Sequence, residues 1–144
     1  MLEETKYFIW TPEYSVGVDL FDEQHKRFFE LANAVLDVAA ETDKDTLAKK
    51  IADVVRELAE YANYHLSAEE EYFEKYGYFD ADIHTKAHNF YREKMKTLIA
   101  ELQNGGANLK ELAESIAWYA GNWLTSHIMT MDKKYERFFE SRLK

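Results

Sequence analysis

HLSAE (His65–Glu69) and HTKAH (His84–His88) are the two stretches that decide the fold of this chain. In each of them, two side chains that bind metal ions well stand four residues apart. On an α-helix this spacing places both side chains on one face, one turn apart. Two such helices packed antiparallel would direct their four side chains at a common point. The sequence therefore predicts helices that pack around a metal site.

Apolar residues continue at helical spacing on both sides of these stretches and mark four helices. Caps and breakers give the predicted bounds: a start near Asp19 or Asp22, an end at Tyr76-Gly77, a start at Asp80 or Asp82, an end within 104–108, and a last helix from about Leu109 to the C-terminus. We expect an all-α protein, an up-down-up-down antiparallel four-helix bundle with an extended N-terminal arm. Residues 1–144 are predicted to form one domain, with the arm at 1–18 and the bundle at 19–144.

The composition narrows the classes of partner and of site. The chain has 144 residues, of which 47% are apolar and 31% charged, and its net charge of -9 argues against nucleic acid and anionic membranes as partners. Cysteine is absent, so any metal would be held by imidazole and carboxylate groups. The first ten residues do not read as a signal peptide, and no apolar run is long enough to span a bilayer. We expect a cytoplasmic protein and a monomer.

All five histidines fall on the apolar stripes of the predicted helices, and two carboxylates lie on or close to the same stripes: His25, His65, His84, His88 and His127, with Glu69 and Asp132. An ionised carboxylate in a core is costly unless it is paired or bound to a metal. Five imidazoles, two bridging carboxylates and a bridging solvent oxygen would fill all but one position of two octahedral ions. A single zinc ion needs only about four ligands and would leave the others unused. The residue types alone suit iron, zinc or manganese.

One spacing departs from the helical period. His127 and Asp132 are five residues apart, which on an ideal helix is an angular offset of about 140°. We therefore predict a local π-type bulge, or a strongly bent rotamer, that brings both side chains inward. Such bulges are common at functional sites.

The sequence resembles the hemerythrin family, and most closely its single-domain bacterial members. The family pattern is a histidine in the first helix, HxxxE in the second, HxxxH in the third and HxxxxD in the fourth, and it matches His25, His65 with Glu69, His84 with His88, and His127 with Asp132. The match covers nearly the whole chain, including Trp10, Gly17-Val18 and the DEQH sequence that ends at His25. No ligand of the pattern is missing.

This resemblance implies a non-haem di-iron centre, two iron ions with an oxo or hydroxo bridge, that binds dioxygen reversibly for storage, transport or delivery, or sensing. His84, His88 and His127 would hold one iron, and His25 and His65 the other, which keeps the open position. Glu69 and Asp132 would bridge the two. Apolar pocket positions of the family match Trp123, Leu124 and Ile128.

Alternatives remain open on the sequence alone. A di-iron redox enzyme acting on peroxide, dioxygen or nitric oxide is one, and simple iron or zinc sequestration is another. The site is rich in histidine and poor in carboxylate, which favours binding over catalysis. Beyond the ligands, Glu70 and Glu71 are interpreted as a solvated face or at most as partners of the ligands. Three tyrosines are candidates to hydrogen-bond to the ligand histidines through their hydroxyls: Tyr64, Tyr91 and Tyr119.

Overall fold

The computed structural model describes residues 7–143, so the first six residues of the predicted arm lie outside it. Its α-helices are α1 (Asp19–Ala39), α2 (Lys44–Tyr76), α3 (Ala81–Gln103), α4 (Leu109–Thr130) and the short α5 (Glu136–Arg142). Helix α1 packs against α2 and α4, and α3 packs against the same two helices. Short connections join consecutive helices, so the four long ones run up, down, up and down. This confirms the predicted fold class.

The ends of the helices follow from local chemistry. The Asp43 side chain accepts a hydrogen bond from the Thr46 amide at 3.1 Å and caps the start of α2. Gly77 ends α2 in the left-handed region, at a φ of 68°. Glycine adopts this conformation without a steric penalty because it has no Cβ. The amide of Tyr78 then donates back to the Phe73 carbonyl at 2.9 Å. The predicted cap at Gly77 is therefore confirmed.

The N-terminal arm is fixed to the bundle by side chains of α1. Asn33 accepts a hydrogen bond from the Phe8 amide at 2.9 Å and donates to the Phe8 carbonyl at 2.8 Å. Further along the arm, the Val16 amide donates to the Asp22 carboxylate at 2.9 Å. The Phe8 ring lies against Gly121 of α4 so closely that a Cβ there would sit 2.2 Å from it. Gly121 is thus required for the arm to seat on α4.

The fourth helix does not continue to the C-terminus, so the prediction of one helix from Leu109 onward is wrong. Helix α4 ends at Thr130, Met131 has a φ of -118°, and a 3₁₀ turn follows at Asp132–Tyr135. The predicted π-type bulge is also wrong, because the Met131 amide still donates to the His127 carbonyl in the ordinary α-helical pattern at 2.8 Å. The departure from α-helical backbone at Met131 and the 3₁₀ turn after it accompany the burial of Asp132, since a continued helix would leave its side chain about 140° away from that of His127.

The core of the bundle has two ends of different chemistry. At the far end, near the α1–α2 and α3–α4 connections, the buried side chains are apolar and include Val35, Leu47, Ile51, Val55 and Leu102. At the ligand end, near the α2–α3 turn, imidazoles and carboxylates are buried among aromatic rings. None of the helices within residues 7–143 is both long enough and apolar enough to cross a membrane.

Candidate metal centre

All seven residues predicted from the sequence meet at the ligand end of the core. The seven side chains come from five elements: His25 from α1, His65 and Glu69 from α2, His84 and His88 from α3, His127 from α4, and Asp132 from the 3₁₀ turn. Every one of these side chains is at most 4% exposed. They form two groups of candidate ligands, each with its ligand atoms within 4.8 Å of one another, that share Glu69 and Asp132.

The first group brings three imidazoles together. His84 Nε2 lies 2.8 Å from Asp132 Oδ1 and 2.9 Å from His127 Nε2. His88 Nε2 lies 3.2 Å from His127 Nε2 and 3.2 Å from Glu69 Oε1. Two ligand atoms that each lie about 2.1 Å from one ion, at right angles, are about 3 Å apart. The spacing of these nitrogens and oxygens therefore fits the coordination shell of a single metal ion.

The second group is smaller and lies on the other side of the two carboxylates. His25 Nε2 is 3.0 Å from Asp132 Oδ2 and 4.0 Å from Glu69 Oε2. His65 Nε2 is 3.6 Å from Glu69 Oε1. The two oxygens of Asp132 thus face different groups, Oδ1 toward His84 and His127 and Oδ2 toward His25. A carboxylate placed in this way can bridge two ions.

Unpartnered buried atoms test whether these residues fit a metal. Four ligand atoms are fully buried and make no hydrogen bond of acceptable geometry within residues 7–143, although His25 Nε2 and Asp132 Oδ2 lie 3.0 Å apart: His25 Nε2, His65 Nε2, Glu69 Oε1 and Asp132 Oδ2. Buried polar atoms are nearly always hydrogen-bonded, so such a cluster needs an explanation. Inward-facing nitrogen and oxygen lone pairs are what cations of intermediate hardness bind. The donor set therefore fits a pair of metal ions.

The electrostatics of the site favour the metal-binding protonation state at three of the ligands and oppose it at His88. Burial disfavours a charged His88, but hydrogen bonds to Glu69 and Glu70 outweigh burial and raise its pKa to about 9, so a metal ion would have to displace a proton there. Burial lowers the pKa of His65 to about 3, which keeps its imidazole neutral. Burial and the neighbouring Asp132 would raise the pKa of Glu69, but the imidazoles of His65 and His88 outweigh them and lower it to about 2. Burial likewise opposes ionisation of Asp132, yet the surrounding imidazoles hold its pKa well below the usual range. Neutral imidazole and ionised carboxylate are the metal-binding forms.

Residues around the centre hydrogen-bond to the ligands, and only some of them were considered from the sequence. Gln24 Oε1 lies 2.7 Å from His65 Nδ1, and Glu70 Oε2 lies 2.6 Å from His88 Nδ1. The Tyr135 hydroxyl donates to Glu69 Oε2. Glu70 is thus a partner of a ligand, whereas Glu71 is exposed, as the solvated-face interpretation expected.

The three tyrosines considered as partners of ligand histidines do not have that role. Tyr64 is 59% exposed, and the hydroxyls of Tyr91 and Tyr119 are buried with no hydrogen-bond partner among the described residues. The prediction is wrong because these rings pack on aromatic neighbours instead, Tyr91 on Tyr119 and on Trp123. A signal for the true partners exists in the sequence. Gln24 and Glu70 each stand next to a ligand and reach a ligand on the neighbouring helix.

Of the three predicted pocket residues, one contacts a ligand and the other two are buried on the same helix. The Trp123 ring stacks on His127, with ring centroids 4.3 Å apart. Leu124 and Ile128 are fully buried on either side of that histidine in the sequence. Their role in holding a small ligand stays a prediction.

Comparison with known proteins gives a consistent result. The chain matches the family model described as "Hemerythrin HHE cation binding domain" over residues 16–139. It is 27% identical over 135 residues to the bacteriohemerythrin of Clostridium acetobutylicum, a match that covers 89% of this chain and 98% of the relative. It is 29% identical to the bacteriohemerythrin of Methylococcus capsulatus, covering 88% and 92% of the two chains. A crystal structure of wild-type hemerythrin superimposes with a TM-score of 0.80 at 26% identity, covering 91% and 96%.

Proposed function

The chain belongs to the hemerythrin family, and we propose that it binds dioxygen reversibly at a non-haem di-iron centre, for oxygen storage, transport or delivery, or sensing. In this proposal residues 1–144 form one di-iron domain, and the chain is a binding protein rather than an enzyme. The main support is the donor set: five buried imidazoles and only two carboxylates. Oxygen-activating di-iron proteins of helical bundles typically use Glu-x-x-His pairs and more carboxylates.

Each side chain has a distinct part in this proposal. Three imidazoles, those of His84, His88 and His127, hold one iron, and those of His25 and His65 hold the other. Because its two oxygens face different groups, Asp132 would bridge the irons, and Glu69 would serve as the second bridge. The position with fewer imidazoles keeps room for a small ligand. Two ferrous ions held by these residues would supply the electrons for reversible dioxygen binding.

The pocket residues keep water from the site. Leu124 and Ile128 are fully buried, and Trp123 covers the His127 ring. A dry, apolar wall disfavours the escape of charged, reduced forms of oxygen, because such species are poorly stabilised without solvent. The pocket therefore favours release of neutral dioxygen over irreversible oxidation of the irons.

The direct test is optical. The protein is loaded with ferrous iron without air, dioxygen is admitted, and the visible spectrum is followed through cycles of aeration and deaeration. The proposal predicts a charge-transfer band that appears with dioxygen and disappears on its removal, with zinc-loaded protein as the blank. Irreversible oxidation with turnover of added peroxide would instead support a redox enzyme. A failure to bind iron while zinc binds would support sequestration.

The pocket has its own test. Leu124→Ala opens space beside the site, so we expect the oxygenated form to decay to the oxidised form several times faster in stopped-flow measurements. Leu47→Ala, which truncates a leucine at the far end of the core, is the matched control and should leave the decay rate unchanged. Equal decay rates in the Leu124 variant and the wild type would contradict the assignment of this pocket.

A further inference from the structure

The ligand histidines differ in what holds their outer nitrogen, Nδ1. His88 Nδ1 lies 2.6 Å from a carboxylate oxygen of Glu70. His65 Nδ1 lies 2.7 Å from the amide oxygen of Gln24, which carries no charge. His25 Nδ1 is fully buried and has no partner within the described part of the chain. The two groups of candidate ligands are therefore supported unequally from outside.

The Glu70 carboxylate is itself held in place. Both of its oxygens accept from the guanidinium of Arg92, at 2.7 Å and 3.2 Å, in a two-pronged ion pair. Arg92 is anchored in turn, because its Nε donates to the Asn63 side chain at 2.8 Å. Glu70 and Arg92 are each only 24% exposed, so solvent screens this pair less than a surface pair. The carboxylate thus has a fixed position facing His88, between α2 and α3.

A carboxylate at Nδ1 affects the ligand in two ways. It accepts the Nδ1 hydrogen, so Nε2 is the nitrogen of His88 that faces the centre. It also makes Nε2 a stronger donor to a metal, since a hydrogen bond to a charged acceptor is roughly twice as strong as one to a neutral group. Gln24 fixes the orientation of His65 in the same way but adds no charge. His25 receives neither benefit.

We propose that Glu70 is a positioning residue that makes the His84, His88 and His127 position the tighter of the two metal positions. The ion at His25 and His65 then binds second and leaves first. The number of ligands favours the same order, because the first group contains three imidazoles and the second contains two. This inference rests on the proposed function in requiring two bound ions.

The test uses Co²⁺ alone as the probe, titrated without air into metal-free protein against a competing chelator. Wild-type protein should bind two ions in two resolved steps. Glu70→Gln keeps the shape and a hydrogen-bond acceptor but removes the charge, so the tighter step should weaken by about 10-fold or more while the weaker step stays nearly constant. Glu71→Gln removes the same charge at the exposed neighbouring position, so it is the matched control and should change both steps little.

A spectroscopic signature separates this role from a merely structural one. The Nδ1 hydrogens of histidines bound to Co²⁺ give shifted, solvent-exchangeable proton resonances in NMR spectra. The resonance altered by Glu70→Gln should belong to the set that appears with the first equivalent of metal. Gln24→Glu should alter a resonance of the second set and tighten the weaker step. This second variant keeps the inference testable even where Glu70→Gln does not fold.

The outcomes distinguish the two proposals. Two bound ions with no weakening of the tighter step in Glu70→Gln, or with weakening of the second step instead, would overturn this inference and leave the proposed function standing. Fewer than two ions in the wild-type protein would overturn both.

Discussion

The two ends of the core show how one bundle serves stability and chemistry separately. The far end buries aliphatic side chains such as Val35, Ile51 and Val55, whose burial is favourable without any ligand. The ligand end buries seven imidazole and carboxylate groups, and several of their atoms make no hydrogen bond of acceptable geometry among the described residues. Burying such atoms is costly unless a cation meets them. We conclude that the far end stabilises the fold, whereas the ligand end depends on bound metal.

The largest effect should come from removing the shared ligand Asp132. Asp132→Ala takes away a carboxylate whose oxygens face both groups, so we expect the affinity for both ions to fall more than about 100-fold, beyond the loss caused by an outer contact. Metal titration of the metal-free protein measures this loss. Retention of two tightly bound ions in the variant would contradict the role of Asp132 as a ligand shared by both groups.

Truncation at the far end should lower the stability of the fold and leave metal binding unchanged. Ile51→Ala removes buried methyl groups from a side chain that is 2% exposed, so the free energy of unfolding should fall by about 2–5 kcal/mol. Urea unfolding of the metal-free protein measures this change. The number of bound metal ions should stay the same. A parallel loss of metal affinity would show that the two ends are not independent.

A hydroxyl at the ligand end should have a smaller effect. Tyr135→Phe removes the donor to Glu69 Oε2, which leaves another buried carboxylate oxygen unpaired and should lower the free energy of unfolding by about 1.5–3 kcal/mol. Tyr91→Phe is the matched control, because the Tyr91 hydroxyl is buried without a partner within residues 7–143. That variant should be as stable as the wild type or more so in the same urea experiment. Equal losses in both variants would argue against the role of the Tyr135 contact.

The smallest loss of stability should come from replacing a glycine in the connections, and it should be equal at the two ends of the bundle. Gly77, in the α2–α3 turn, and Gly106, in the α3–α4 connection, have φ values of 68° and 51° and open space where a Cβ would lie. Substitution by alanine should cost about 1 kcal/mol at either position, since the cost is one of backbone conformation alone. Thermal unfolding of the two variants compares them. A clearly larger loss at Gly77 would mean that the ligand end depends on that turn for more than chain reversal.

The fold and the meeting of the candidate ligands were predictable where they depend on periodic patterns. The spacing of His65 and Glu69, and of His84 and His88, follows the turn of a helix, so side chains on one face could be identified without coordinates. The cap at Gly77 is encoded by a single residue whose preference is local. Such features need no knowledge of neighbouring helices.

The features that were missed depend on tertiary geometry. Asp132 reaches the centre through a break at Met131, and no helical period predicts where a helix ends without a glycine or proline. The contacts of Gln24 and Glu70 cross between helices, so they depend on how α1, α2 and α3 are rotated against one another. The tyrosines were misassigned because a hydroxyl on an inward face does not reveal whether an acceptor is within reach.

Iron content is the most direct measurement of the central claim, that seven buried side chains from the bundle hold a pair of ions. The metal-free protein is loaded with excess ferrous iron without air, freed of loose metal by gel filtration, and analysed for iron per chain. Our account predicts two irons per chain in the wild type. One iron or fewer per chain would contradict it.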